Sequence, residues 1–153
     1  MTLLQDKVVL VTGGSTGIGR ATAQILGAEG ARVVIADVQD AEGANTVKLV
    51  TDAGGVAEYM HVDVSDYDAV SAAIAALVDQ HGALDGAFNN AGIEGPTARI
   101  ADVSMADWDR VIRVNLTGVF ICMKAEIEQM MKQGGGGSIV STASSNTRRK
   151  ISA

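Results

Sequence analysis

The sequence predicts an open, doubly wound α/β domain: five parallel strands in the order 3-2-1-4-5, covered by helices in three α/β/α layers. Three observations carry that expectation. Short β-branched runs alternate with helical apolar spacing along the chain, the connections between them are short, and a glycine-rich turn follows the first run directly. Such alternation implies right-handed crossovers between parallel strands. At 153 residues the chain is sized for a single domain, 1–153. A hydrophobic share of 47% against 20% charged excludes a disordered chain. With one Trp, two Tyr and two Phe, the core must be aliphatic.

Lys7–Thr12 (KVVLVT) is a continuous apolar run ending in glycines, as expected of a strand buried on both faces. Gly17–Glu29 places Ile18, Ala21, Ile25 and Leu26 on one helical face, with Gly30 as the stop. Arg32–Asp37 (RVVIAD) is the second strand. Val47 and Val50 are spaced for a helix from Asp40 to about Ala53, closed by Gly54-Gly55. Val56–Val62 forms the third strand. Ser65 and Asp68 are spaced as a capping box for a helix over Ala69–Gln80. Ala83–Asn89 is the fourth strand. Ser104 and Asp107 repeat the capping pattern and open a long helix to about Lys132. Gly134–Gly137 is a loop, and Ser138–Ser141 (SIVS) the fifth strand.

Twelve basic against 18 acidic side chains leave a net charge of −6, which speaks against a nucleic-acid or anionic-membrane partner. No apolar run reaches the roughly 18 residues of a membrane span. The single cysteine, Cys122, cannot form an internal disulfide and reads as a small core residue. His61 and His81 have no partners at metal-ligand spacing. Together these features predict a soluble, cytoplasmic domain without a metal. Met123, Met130 and Met131 read as packing or an oligomer face.

The turn Thr12-Gly13-Gly14-Ser15-Thr16-Gly17-Ile18-Gly19 leads from the first strand into a helix. Glycines allow the backbone to approach a pyrophosphate, and a helix N-terminus offers it unpaired N–H groups. The spacing differs from the commonest dinucleotide fingerprint and lacks the Gly-Lys-Ser/Thr of a P-loop. Asp37, closing the second strand, stands where an acid accepts from the ribose of an adenosine, or else serves a strand-end turn. Asp63 stands similarly after the third strand, facing an adenine amino group or belonging to the next turn. Asn89-Asn90-Ala91-Gly92 either braces the loops at the switch point of the sheet or is an ordinary turn. Asn115 sits in the apolar run Val111–Phe120, which reads as largely buried, so its amide needs a partner or a role.

The motifs T-G-x-x-x-G-I-G at 12–19, Asp63, N-N-A-G at 89–92, V-N-L-T-G at 114–118 and G-S-I-V-x-x-x-S at 137–144 occur in this order. The chain thereby resembles the short-chain dehydrogenases/reductases, from about residue 5 to residue 145. The resemblance implies a Rossmann-like fold and an NAD(P)-dependent oxidoreductase acting on a small-molecule alcohol or ketone. It implies that the loop of Gly13, Ser15, Thr16, Gly17, Ile18 and Gly19 cradles the pyrophosphate. Asp37 with Val38 would hold the adenosine ribose, and Asp63 with Val64 would flank the adenine. Asn90, Ala91 and Gly92 would line the nicotinamide-side ribose. The backbone of Asn115 would hold a proton-relay water, and Ser144, or its neighbour Ser145, would bond the substrate oxygen. Asp37 on the ribose favours NAD over NADP, with Arg20 as the nearest opposing base. The long helix is expected to pair copies of the protein as a homodimer or homotetramer.

The family's catalytic Tyr-x-x-x-Lys lies beyond the serine, and Tyr59 and Tyr67, followed at the fourth place by Asp63 and Ser71, do not start it. The resemblance therefore implies the cofactor-binding portion of a fold that is truncated after the fifth strand, inactive by itself. Two other functions fit parts of the pattern. One is a non-catalytic nucleotide-binding protein. The other is a methyltransferase, which would open its glycine loop with an acid where Thr12 stands.

Overall fold

The computed structural model describes residues 2–144. Strands β1 (Val8–Thr12), β2 (Arg32–Asp37), β3 (Val56–His61), β4 (Gly86–Asn89) and β5 (Ser138–Ser141) are all parallel and lie in the order β3-β2-β1-β4-β5. All five residues of β1 are buried, as a central strand covered on both faces requires. Its side chains alternate between two cores. Val8 and Leu10 meet Ile74, Leu77, Ile121 and Cys122 on one face; Val9 and Val11 meet Ala23, Val33 and Val50 on the other. The first core is covered by helices α3 (Tyr67–His81) and α5 (Gly118–Gln133), the second by α1 (Gly17–Ala28) and α2 (Asp40–Asp52). The chain runs outward from β1 to β3, then returns to β4 on the other side of β1. That reversal opens a crevice at the carboxyl ends of β1 and β4.

Several local expectations are corrected. Helix α1 buries Gly19, Ala23 and Gly27, whereas Ile18 and Ile25 are each 64% exposed and Ala21 is exposed too. Small residues win the buried positions because the helix packs too closely for branched side chains: a Cβ on Gly27 would stand 2.5 Å from Cγ1 of Val50 on α2, and one on Gly19 2.1 Å from the Gly13 carbonyl oxygen. The cap of α3 is Asp66, whose carboxylate accepts from Asp68 N and Ala69 N, and Ser65 instead donates to Asp63 Oδ1. Strand β4 starts at Gly86 because the backbone of Leu84 bonds the Gln133 side chain, and Asp85 turns its carboxylate to Lys7 and Val8 N.

The long helix is divided. Ser104 caps α4 (Met105–Ile112) by accepting from Asp107 N at 3.0 Å, and Asp107 takes the Ser104 hydroxyl at 2.7 Å, a reciprocal cap. A π-helical turn over Arg113–Thr117 then joins α4 to α5. No helix among the described residues is long and apolar enough to cross a membrane.

Candidate functional site

The crevice is a cleft of ≈ 580 Å³. Its floor comes from the glycine loop, one side from Asp37 and Val38, the far end from Asp63 and Val64, and the near wall from Asn90, Ala91 and Gly92. Thr16, Gly17 and Ile18 line it as well, so eleven residues predicted from scattered motifs, the exposed Ile18 among them, meet around one volume.

The loop is held in shape from below. Gly13 has φ +64°, and a Cβ there would lie 2.7 Å from Ala91 Cα, so the β1 turn and the β4 turn touch through bare backbone. Gly17 also has positive φ, +52°, and open space where its Cβ would be. Gly19 lies buried beneath the Gly13 carbonyl. Thr16 caps α1 without a side-chain bond, and the first turn of α1 carries no acid. Its first N–H groups therefore have no intrahelical partner and point their positive dipole end toward the loop. This arrangement suits an anion such as a pyrophosphate. Ser15 does not line the cleft; it is fully buried, and its N–H donates to Asp37 Oδ2 at 3.1 Å.

Asp37, 8% exposed, also accepts from Val38 N at 2.8 Å and Gln39 N at 3.2 Å. Three N–H donors fix the carboxylate at the edge of the cleft and leave acceptor capacity for a ligand hydroxyl. Arg20 is turned away from it: its guanidinium bonds Glu42, the Ser15 carbonyl and Thr46 Oγ1. Asp63 takes part in the turn before α3. It accepts from Ser65 N and Oγ in a turn, at 2.9 and 2.8 Å, while lining the cleft.

The near wall is braced by Thr12, a role the motif gave no sign of, since its Oγ1 accepts from Asn90 N at 3.1 Å and Ala91 N at 3.2 Å. Asn90 Nδ2 donates to the Gly13 carbonyl at 3.3 Å. Asn115 is exposed rather than buried, and so is much of the run around it, because the π turn rotates these residues outward. Its amide nonetheless has a partner: Oδ1 accepts from Ile93 N at 2.8 Å and Nδ2 donates to Ile93 O at 2.9 Å. Asn115 thus clamps the loop leaving Gly92. Ser144 lies three residues past β5, exposed and outside the lining of the cleft. Ser145 lies outside the described residues.

His61 bonds Asp40 and His81 bonds Glu58, at 2.6 and 2.7 Å. Cys122 is buried as expected, and burial, followed by the charge of Glu126, pushes its thiol up to about 12. Glu126 itself is the residue that the sequence reading passed over, a carboxyl with no exposed surface bonded to Asn89.

The family model described as short chain dehydrogenase matches residues 7–153. The chain is 42% identical over 144 residues to the 2,5-dichloro-2,5-cyclohexadiene-1,4-diol dehydrogenase of Sphingobium indicum, covering 94% of this chain and 56% of that protein. It is 44% identical over 142 residues to the secoisolariciresinol dehydrogenase of Forsythia intermedia, covering 92% and 50%. Among solved structures, a short-chain type dehydrogenase/reductase from Mycobacterium marinum superposes with TM-score 0.91 at 32% identity, covering 97% of this chain and 60% of that one. An NAD+-bound xylitol dehydrogenase does so with TM-score 0.89 at 36% identity, covering 93% and 54%. The chain spans about half the length of the curated relatives it matches. A Rossmann-like sheet in the order 3-2-1-4-5, a glycine loop against the β4 turn, and a family match along nearly the whole chain agree: it belongs to the short-chain dehydrogenases, a family of oxidoreductases.

Proposed function

We propose that this chain is the cofactor-binding portion of an oxidoreductase that moves a hydride between a nicotinamide dinucleotide and a small alcohol or ketone, with NAD(H) preferred over NADP(H). The observation that carries the reading is the cleft itself. A backbone cradle suited to a pyrophosphate and a fixed carboxylate for a ribose share one continuous surface. A bound dinucleotide supplies the hydride donor or acceptor. The chain's own residues bind and orient it: the start of α1 faces the diphosphate, Asp37 accepts from the adenosine ribose, and Asp63 and Val64 border the base. Asn90–Gly92 borders the other end, where the π turn and Ser144 lead toward the substrate side. Neither tyrosine, Tyr59 nor Tyr67, lines the cleft, so the proton donor for the oxygen is not a tyrosine of its described lining.

The preference for NAD(H) follows from charge. A 2′-phosphate beside Asp37 would meet a carboxylate, at a cost of about 4 kcal/mol per charge pair at ~4 Å and an effective dielectric near 20, before screening. Arg20, the base best placed to offset this, is committed to Glu42. Hydride transfer is tested on the full-length polypeptide with 4-deuterated NADH and a panel of ketones. Deuterium on the carbinol carbon supports the reading; binding of S-adenosylmethionine in place of NADH contradicts it.

The same reading includes self-association. Leu116, Phe120, Met123, Ile127 and Met131 form an exposed stripe, opposite the face on which Ile121, Cys122 and Ala125 are buried. We propose that a second copy covers this stripe in a homodimer or homotetramer.

A further inference from the structure

One residue before the near wall of the cleft, a carboxyl group is sealed inside the protein. Glu126 on α5 has no exposed surface, and Asn89 at the end of β4 is 2% exposed. Asn89 Nδ2 donates to Glu126 Oε2 at 2.8 Å. The other two heteroatoms of this pair, Glu126 Oε1 and Asn89 Oδ1, are both buried and both without a hydrogen-bond partner. An ionised carboxylate would leave three buried acceptors with one bonded donor between them, so that Oε1 and Asn89 Oδ1 go without, at about 1–3 kcal/mol or more per orphaned group in general. A single proton resolves both. Carried on Oε1, it turns that atom into a donor and gives Asn89 Oδ1 what it lacks.

We propose that Glu126 is a neutral carboxylic acid that donates to Asn89 Oδ1, and that this acid–amide pair positions the Asn90–Gly92 wall of the cleft. What the pair anchors is visible in the bonds around it. The Asn89 carbonyl accepts from Thr142 N at 2.9 Å, which joins the exits of β4 and β5. Asn90 then bonds the Gly13 carbonyl and accepts from Thr142 Oγ1 at 3.1 Å, so a shift of Asn89 reaches both the glycine loop and the segment leading to Ser144.

The surroundings offer no counter-charge. Burial raises the Glu126 carboxyl to about 7, against the opposing pull of the Asn89 bond. On its own helix, Cys122 is the titratable group that senses it. Lys124 and Glu128 pair with each other and with Tyr67 of α3 on the exposed side. Strand β4 presents Asn89, β5 carries no charged residue, and the core beside α5 is Val64, Val70, Ile74 and Leu77. Among the described residues Glu126 has no ion-pair partner.

The protonation state stands on the geometry alone, whereas its effect on binding rests on the proposed use of the cleft. The test separates the two in the full-length polypeptide. Infrared difference spectra of wild type minus Glu126→Gln, taken at about pH 6, read the carbonyl stretch of a protonated carboxyl. The expected result is such a band, lost as pH rises through about 7. NADH titrations then compare wild type, Glu126→Gln, which can make both bonds without a proton, and Glu126→Met, which can make neither. Wild-type affinity is expected to fall by about tenfold with rising pH, that of Glu126→Gln to stay level, and Glu126→Met to bind weakly throughout. Absence of the band at about pH 6 overturns the neutral acid. Identical pH profiles for wild type and Glu126→Gln overturn the positioning role. Failure of every variant to bind NADH contradicts the cofactor reading and with it the positioning role, while the band still decides the state of Glu126.

Discussion

At the scale of single residues, the site is built from groups whose chemistry is fixed by what surrounds them. Asp37 is the clearest case. Its backbone donors engage both oxygens, Ser15 N on Oδ2 and Val38 N with Gln39 N on Oδ1, so Asp37→Asn removes the charge and also sets an NH2 against at least one N–H donor. A hydrogen bond to a charged group contributes about 1.5–3 kcal/mol. NADH binding should therefore weaken by about 10- to 100-fold, with NADPH affected less, as read by calorimetric titration. Glu126 bears on stability as well. Its folded pKa of about 7 stands above the ordinary 4.5, so the folded state holds a proton that the unfolded state releases first. The stabilisation is complete below 4.5 and is lost as pH rises to about 7, by up to about 3 kcal/mol for a shift of this size. Urea unfolding at several pH values should show that decline in wild type and a flatter profile in Glu126→Gln. Cys122, raised to about 12 by burial and by Glu126, should resist alkylation in the native protein and react once it unfolds.

At the scale of elements, the sequence was legible wherever function is written in local backbone chemistry. The glycine turn, Asp37 and the Asn90–Gly92 turn each follow a strand, and parallel strands deliver such turns to one edge of the sheet. Side-chain partners across elements were harder to read. Glu126 lies in Glu-Ile-Glu-Gln, which resembles a solvated helix face, although its spacing from Cys122 and Met130 places it on the buried side. The α1 face differs from the expected one because apolar spacing favours Ile18 and Ile25, while close approach to the glycine loop and to α2 selects Gly19 and Gly27. The π turn has no composition signal at all, yet it lets Asn115 reach Ile93. Asn115→Ala should free the loop after Gly92, with faster hydrogen exchange at the Ile93 amide and little change in the strands. Gly13→Ala would force a side chain to positive φ and into Ala91. It should lower stability by about 1 kcal/mol or more and weaken NADH binding further than it lowers the melting temperature would suggest.

At the scale of the whole molecule, the two cores and the crevice are consequences of one topology. The reversal of strand order beside β1 places the start of α1 against the β4 turn, and the cleft lies where they meet. The exposed stripe on α5 is the other large-scale feature, and its apolar residues call for a partner. Light scattering on the full-length polypeptide should give a dimer or tetramer at micromolar concentration, and Phe120→Glu should shift it toward smaller species. A monomeric wild type would contradict that assembly. Occupation of the crevice by a nicotinamide dinucleotide, with Asp37 on its adenosine ribose, is the proposal on which the binding predictions rest. It is tested most directly by calorimetric titration of the full-length wild-type protein with NADH and with NADPH. Saturable one-site binding of NADH, with clearly weaker binding of NADPH, is the expected result. Equal affinity for the two, or no binding of either, would contradict it.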